Sequence, residues 1–344
     1  MSDASDEADA SNATDATHSE RIGVLFALRD EPDLVVRAEE LGYESAWAAE
    51  GQGKSAFGKL ERWAVHTDRI GLATGIVNVF SRTPAAIAQA AATLDAHSGG
   101  RAILGLGVAH PGVVEGFHGA DFDRPLPRMD EYIELVRRYL RGDPEGFDGE
   151  FFSPSRTAFW GAFEPERASI PIYNGALGPA NVRLTGQFAD GWVPNLYPDS
   201  QFEEARGWLA DGAARADRDP DDIDVAMYVL TAVDEDPERA RQAAAEHVAY
   251  YLRDIPGYYD RAAEQAGYAD MVEAVREAPS LEAGADAVAA GLLDRLAVVG
   301  TPDEAREQLA HLREIGVDLP IVRAPAGSDR GWVERTLEAF APSR

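Results

Sequence analysis

Cysteine is absent from the 344 residues, which excludes disulfides, thiolate metal sites and a cysteine nucleophile. Lysine is nearly absent too: Lys54 and Lys59 are the only two, and the other basic residues are arginine. No apolar run approaches the ~20 residues that cross a bilayer. The first twenty residues are rich in Asp, Ser, Ala and Thr and lack the basic and apolar regions of a secretory leader. They read as a solvated acidic tail over 1–20, followed by one domain over 21–344. A soluble cytoplasmic protein is the expectation.

Negative charge is what the chain has in excess: 60 acidic against 32 basic residues, a formal net charge of −28. Such a surface repels nucleic acid and anionic membrane, so neither is expected as a partner. An acidic substrate is not excluded, because a local arginine cluster overrides the global field. Dense carboxylates also read as adaptation to high salt, where ions screen their repulsion.

From Arg21 onward, strand-like and helix-like segments alternate. Strands are expected at Ile22–Leu28, Ser45–Ala49, Ile70–Val79, Ala102–Val108, Ile170–Asn174, Gly191–Pro194, Ile223–Thr231 and Leu319–Arg323. Thr83-Pro84 opens one intervening helix, and Thr301-Pro-Asp-Glu304 opens another with a capping box. Met129, Tyr132, Ile133, Val136 and Leu140 mark one face of a third. Eight such units predict an α/β fold, a (β/α)8 TIM barrel, with a doubly wound open sheet as the other arrangement. The span 235–297 holds several helices and no obvious strand, and reads as an insertion between strands seven and eight, suited to a lid or a dimer contact. Phe147 to Glu166, aromatic and proline-containing, is expected to cover the barrel mouth.

Ligands of such barrels sit at the carboxyl ends of the strands. Those ends carry Leu28 and Arg29, Glu50, Gly75 to Asn78, Gly107 to His110, Asn174 to Gly178, and Asn195. They offer no Ser-His-Asp set, no HExxH and no phosphate-binding Gly-x-x-x-x-Gly-Lys-Ser loop, so hydrolytic metal chemistry is not expected. A site poor in acids and bases suits a reaction whose difficult step belongs to a bound cofactor.

Gly75, Ile76, Val77 and Asn78 can bulge the third strand toward a ring, or Gly75 can simply relieve crowding where a strand bends. Gly105 and Gly107 are ordinary small residues at a strand end unless a ligand lies on them. Ala176, Leu177 and Gly178 precede Pro179 at a helix start, where free N–H groups can face an anion or merely complete a tight turn. His110 is a candidate proton donor or a loop histidine packed on Pro111. Glu50 is a candidate acid or an exposed carboxylate. Arg82 can meet an acidic cofactor tail or satisfy nearby carboxylates. His66, His97, His247 and His311 fall on expected helices and read as structural. Trp47, Trp160 and Trp192 read as packing.

Taken together these segments resemble the bacterial-luciferase-like superfamily, in particular its branch dependent on coenzyme F(420), an 8-hydroxy-5-deazaflavin. The resemblance runs from Arg21 to Phe340. It rests on Thr74-Gly-Ile-Val-Asn78 with Arg82 and Pro84, on Thr93-Leu-Asp95 with Gly100-Arg-Ala-Ile-Leu-Gly-Leu-Gly107, and on Ile170-Pro-Ile-Tyr173 with Ala176-Leu-Gly-Pro179. Ala189-Asp-Gly191 and Val299-Gly-Thr-Pro-Asp303 extend it. Within it, the chain resembles methylenetetrahydromethanopterin reductases and related oxidoreductases.

The resemblance implies a barrel, a homodimer, and a non-proline cis peptide at Gly75-Ile76 backing the deazaflavin ring. It implies that the Ala176-Leu177-Gly178 backbone holds the cofactor's phosphate. The reaction implied is hydride transfer between the deazaflavin and a small organic or pterin-like substrate. The chain departs from those reductases at Leu25 and His110, where they carry acids, and in having Glu50-Gly51 after strand two. Those departures allow a cofactor-binding protein without turnover, and an FMN-dependent monooxygenase of the same superfamily is the other reading.

If carboxylate repulsion limits stability, the melting temperature should climb with KCl. The rise should be steepest as the Debye length falls from about 8 Å at 0.15 M to about 3 Å at 1 M. A flat melting temperature across that range would exclude the high-salt reading.

Overall fold

The computed structural model describes residues 21–342 except Leu28, Trp160, Ala162 and Pro256. The tail read over 1–20 lies outside the described residues, as do Leu28 and Trp160. The strands are β1 (Gly23–Leu25), β2 (Ser45–Ala48), β3 (Gly71–Thr74), β4 (Val77–Asn78), β5 (Ala102–Gly107), β6 (Ile172–Gly175), β7 (Gly191–Trp192), β8 (Asp224–Val233), β9 (Ala297–Gly300) and β10 (Leu319–Arg323). All their pairings are parallel, and β10 pairs with both β1 and β8. That double pairing closes the sheet. β3 and β4 act as one interrupted strand beside β5, so the ring has eight positions and is the expected barrel.

The eight segments were readable because parallel strands buried on both faces are nearly continuous apolar runs. Helices between them begin where the local chemistry says they should. Thr83 accepts from the backbone N–H of Ala86, and Thr301 and Glu304 form the capping box. Inside the ring, Trp47 packs edge-on against Tyr173 and Tyr228 with ring centroids 5.4 and 5.7 Å apart, among Leu25, Ala73, Val193, Leu319 and Ile321. Trp192 is likewise fully buried. At the amino-terminal end, Arg21 bridges Glu44 and Asp224, and Tyr173 Oη donates to Asp224 at 2.6 Å.

Asp95, fully buried, accepts from Arg167 at 2.6 Å and from the N–H of Ala102 at 3.0 Å. It thereby fixes the start of β5 to the helix before it.

One expectation needs correction, and another is borne out and extended. Phe147 to Glu166 does not cover the mouth. Its N–H groups at 150, 151 and 152 donate to Glu131, and Phe152 and Phe159 pack on Tyr132 and Tyr139 of the helix Pro125–Arg141. None of its described residues lines either cavity at the mouth, so the segment is held against this helix instead. The insertion is also more than helices: after Pro237–Asp254 and four shorter helices it ends in β9, which extends the edge of β8 from Leu230 to Val233. Its apolar residues form their own cluster above the barrel. No helix of the described residues is long and apolar enough to cross a membrane.

The interruption between β3 and β4 is a one-residue bulge. Ala73 pairs with Ile103 and Val77 with Leu106, so four residue steps on one strand face three on the other. The peptide bond Gly75-Ile76 is cis. A Cβ at Gly105 would lie 2.0 Å from the carbonyl oxygen of Thr74, whereas a Cβ at Gly178 would meet nothing within 4 Å. Gly105→Ala should therefore cost about 1–3 kcal/mol or more in urea unfolding, the range for forced overpacking, while Gly178→Ala leaves stability nearly unchanged.

Candidate functional site

Two cavities open at the carboxyl ends of the strands. The first, about 650 Å³, is walled by Ile76, Asn78, Gly107, the run from Gly175 to Asn181, and Tyr228. The second, about 940 Å³, lies over β1, β2 and β10. Gly51, His110, Val113, Tyr251 and Ile255 line both. Helices Pro237–Asp254 and Tyr259–Gln265 of the insertion supply Tyr251 and Tyr259 to the first cavity, so the insertion is the lid that Phe147 to Glu166 is not.

The floor of the first cavity is built by the bulge. Ile76 rests on glycines of the next two strands: built Cβ atoms would lie 3.4 Å from it at Gly105, 2.8 Å at Gly107 and 3.5 Å at Gly175. Any side chain at Gly107 would contend with Ile76 for the same space. Thr74 repairs the ladder that the bulge interrupts, its hydroxyl accepting from Gly105 N and donating to Gly105 O, both at 2.8 Å. Gly75 sits over the barrel core, where a Cβ would be 3.0 Å from Tyr228 Oη. Among the described residues that hydroxyl has no hydrogen-bond partner. Burial raises the Tyr228 phenol well above its usual range, so it stays a neutral donor.

Each candidate from the sequence can now be placed. Val77 is buried in the layer between barrel and helices, so only its backbone can face the cavity. Asn78 accepts from Phe80 N and Ser81 N at 3.0 and 2.7 Å, and its amide lies 3.3 Å from His118.

Ala176, Leu177 and Gly178 form a wall of the first cavity. Trp192 Nε1 donates to Ala176 O at 2.9 Å, and Asn174 donates to Asn181. The helix Pro179–Phe188 that follows has no side-chain cap, so its first N–H groups lack an intrahelical acceptor.

Glu50 is buried and grips Arg82 in a two-point pair at 2.6 and 2.9 Å, also accepting from Ala56 N at 3.0 Å. Of the two fates read for Arg82, carboxylate satisfaction is the one observed. His110 stands where the cavities meet, and its Nδ1 accepts from Gly112 N at 3.0 Å. Sequence reasoning missed Tyr228, Tyr251 and Tyr259. The tyrosine pairs 250–251 and 258–259 inside an otherwise alanine- and acid-rich insertion were the available signal.

The luciferase-like monooxygenase family model matches residues 7–319. A 5,10-methylenetetrahydromethanopterin reductase of Archaeoglobus fulgidus is 32% identical over 325 residues, covering 89% of this chain and 95% of that protein. The F(420)-dependent glucose-6-phosphate dehydrogenase of Nocardia farcinica is 29% identical, covering 92% and 94%. Among solved structures, the coenzyme F(420)-dependent tetrahydromethanopterin reductase of Methanopyrus kandleri superposes with a TM-score of 0.81 at 27% identity, covering 94% of this chain and 98% of that one.

Lys59 ties the site to the scaffold. It is buried, and its ammonium donates to the carbonyls of Ala27 and Ala49, which line the second cavity just past β1 and β2. Burial pushes its pKa down to about 8, against the pull of Asp30 and Glu50. Between pH 8 and about 10 the unfolded chain keeps a proton there that the folded chain has released. The unfolding free energy of the parent should therefore rise with pH relative to Lys59→Met across that window, measured by urea titration at several pH values. Parallel curves would refute the shift.

Proposed function

We propose, from the premise that this chain belongs to the luciferase-like monooxygenase family, that it is an oxidoreductase using coenzyme F(420) on a small organic substrate. The observation that carries this reading is the Ile76 bulge seated over Gly105, Gly107 and Gly175. It gives the first cavity a flat, apolar backrest with side chains removed from the strands beside it. At the other end, the uncapped start of the helix Pro179–Phe188 presents N–H groups behind the Ala176-Leu177-Gly178 turn, suited to a phosphate. The residues present therefore fit a flat ring joined to an anionic tail.

When bound, the deazaflavin supplies or accepts a hydride at its C5. The chain's own residues do the rest. Ile76 and Gly107 would seat the ring, and Asn78, Gly175 and Ala176, which line the same cavity, would hold it in place. Tyr228 Oη, without a partner among the described residues, would be free to donate a hydrogen bond from the barrel core. Tyr251 and Tyr259 of the lid keep water from the reacting face. His110 stands between the two cavities and is the group placed to exchange a proton with the substrate. With Nδ1 accepting from Gly112, its neutral ring carries that proton on Nε2. Glu50 holds Arg82 rigid at the mouth. The second cavity, sharing His110 and Tyr251 with the first, is the substrate side. A pterin-like compound fits the similarity to the reductases.

Titration of the purified protein with F(420) and with FMN, followed by fluorescence, tests the reading. Micromolar or tighter F(420) binding with weaker FMN binding is expected. Tight FMN binding without F(420) binding overturns it in favour of a flavin monooxygenase.

A further inference from the structure

The second cavity contains a buried cation without a counter-ion. Arg323, the last residue of β10, is 6 % exposed and lines that cavity. Its Nη1 donates to Asn195 Oδ1 at 3.0 Å and to Tyr251 Oη at 3.2 Å, both neutral. Its Nε has no acceptor, and its guanidinium makes no ion pair among the described residues. The Tyr251 ring centroid lies 5.6 Å from it. Two neutral acceptors do not require a guanidinium, and burying its charge unpaired costs several kcal/mol. Among the described residues Lys59 and Arg101 also lack a carboxylate partner, but backbone carbonyls receive their N–H groups, whereas Arg323 keeps an unsatisfied Nε.

A second donor lies beside it. His247, 2 % exposed, lines the same cavity from the helix Pro237–Asp254. Its Nδ1 accepts from Ala326 N at 2.9 Å, so the neutral ring bears its proton on Nε2, which has no partner among the described residues. Burial, and then the Arg323 charge, hold its pKa well below the usual histidine range. The reading of His247 as structural is half the account: it secures the loop at Ala326 with one nitrogen and leaves the other unspent. The other charged groups on this cavity are Asp254, beside Arg253, and Arg29, tied to Glu31 and to the carbonyl of Ser328.

We propose that the second cavity receives an oxyanionic substrate, and that Arg323 and the Nε2–H of His247 bind its carboxylate or phosphate. The inference rests on the first cavity being the cofactor side. It makes the substrate an acid or phosphate ester drawn into a protein whose overall field repels it. Arg323 is then a specificity-determining residue that fixes the substrate's charged end while the reacting carbon lies toward His110.

Inorganic phosphate and succinate serve as probes, each titrated against KCl at equal ionic strength while the melting temperature is followed. Saturable stabilisation is expected from at least one, phosphate alone indicating a phosphate ester and succinate alone a carboxylic acid. In Arg323→Met the apparent affinity should fall about 10- to 100-fold, the loss expected of a charge-assisted hydrogen bond, and Arg323→Lys should recover part of it. No saturable response overturns the proposal. So does an equal response in Arg323→Met, which would place the anion elsewhere, such as the start of the helix Pro179–Phe188.

Should Arg323→Met fail to fold, the histidine ¹⁵N spectrum of the unaltered protein decides. The Nε2 signal assigned with His247→Gln moves on probe saturation if the proposal holds and stays fixed if it does not. The F(420) titration of the unaltered protein is read separately. Its failure removes the cofactor assignment, whereas anion binding at Arg323 stands or falls on the probes.

Discussion

A strand that carries one residue more than its neighbour must put that residue somewhere. Between Ala73 and Val77 the extra residue is accommodated toward the barrel mouth, and Ile76 comes to rest across β5 and β6. Those strands then have no room for side chains at Gly105 and Gly107. The ladder would be broken there, but the Thr74 hydroxyl spans the gap with two bonds to Gly105, and pairing resumes at Val77. The glycines, the threonine and the isoleucine form one arrangement, and the shape of the first cavity follows from it. Core residues Leu25, Trp47 and Tyr228 support it from below.

The electrostatic layout has a different logic. Most arginines are matched with carboxylates at the surface, where each pair contributes little by itself. Inside, pairing is selective. Asp95 and Glu50 are buried with an arginine each and with backbone donors, which is how a buried carboxylate avoids its desolvation cost. Arg323 is treated otherwise, meeting only an amide and a phenol. The insertion that roofs the barrel supplies both that phenol and His247.

The barrel was legible because each strand is short, apolar and followed by a helix start with its own chemistry, as at Thr83-Pro84 and Thr301. β9 was not, since Ala297-Val-Val-Gly300 adjoins a helix and offers no alternation of its own. The Phe147 to Glu166 segment was misjudged because aromatic density announces burial without saying against which surface. Glu50 was visible as a strand-end acid, but its partner is 32 residues away and only the fold brings Arg82 to it. The extra residue in the third strand was signalled only by Gly75, which a simple bend would have explained equally well. Resemblance placed the cis peptide at Gly75-Ile76, which a hydrophobic pattern does not encode. Arg323 closed an expected strand and drew no notice, because an arginine at a strand end becomes exceptional only when its surroundings are seen to lack a carboxylate.

The scarcity of lysine also shapes how the molecule can be handled. Lys59 is enclosed beneath the ends of β1 and β2. Lys54 is largely exposed beside Asp30, one residue from Gly53 on the rim of the second cavity. Apart from the terminal amine, amine-directed dyes, cross-linkers and resins thus have one accessible point of attachment. Chemistry that decorates most proteins at random would tether this one by the threshold of its own pocket.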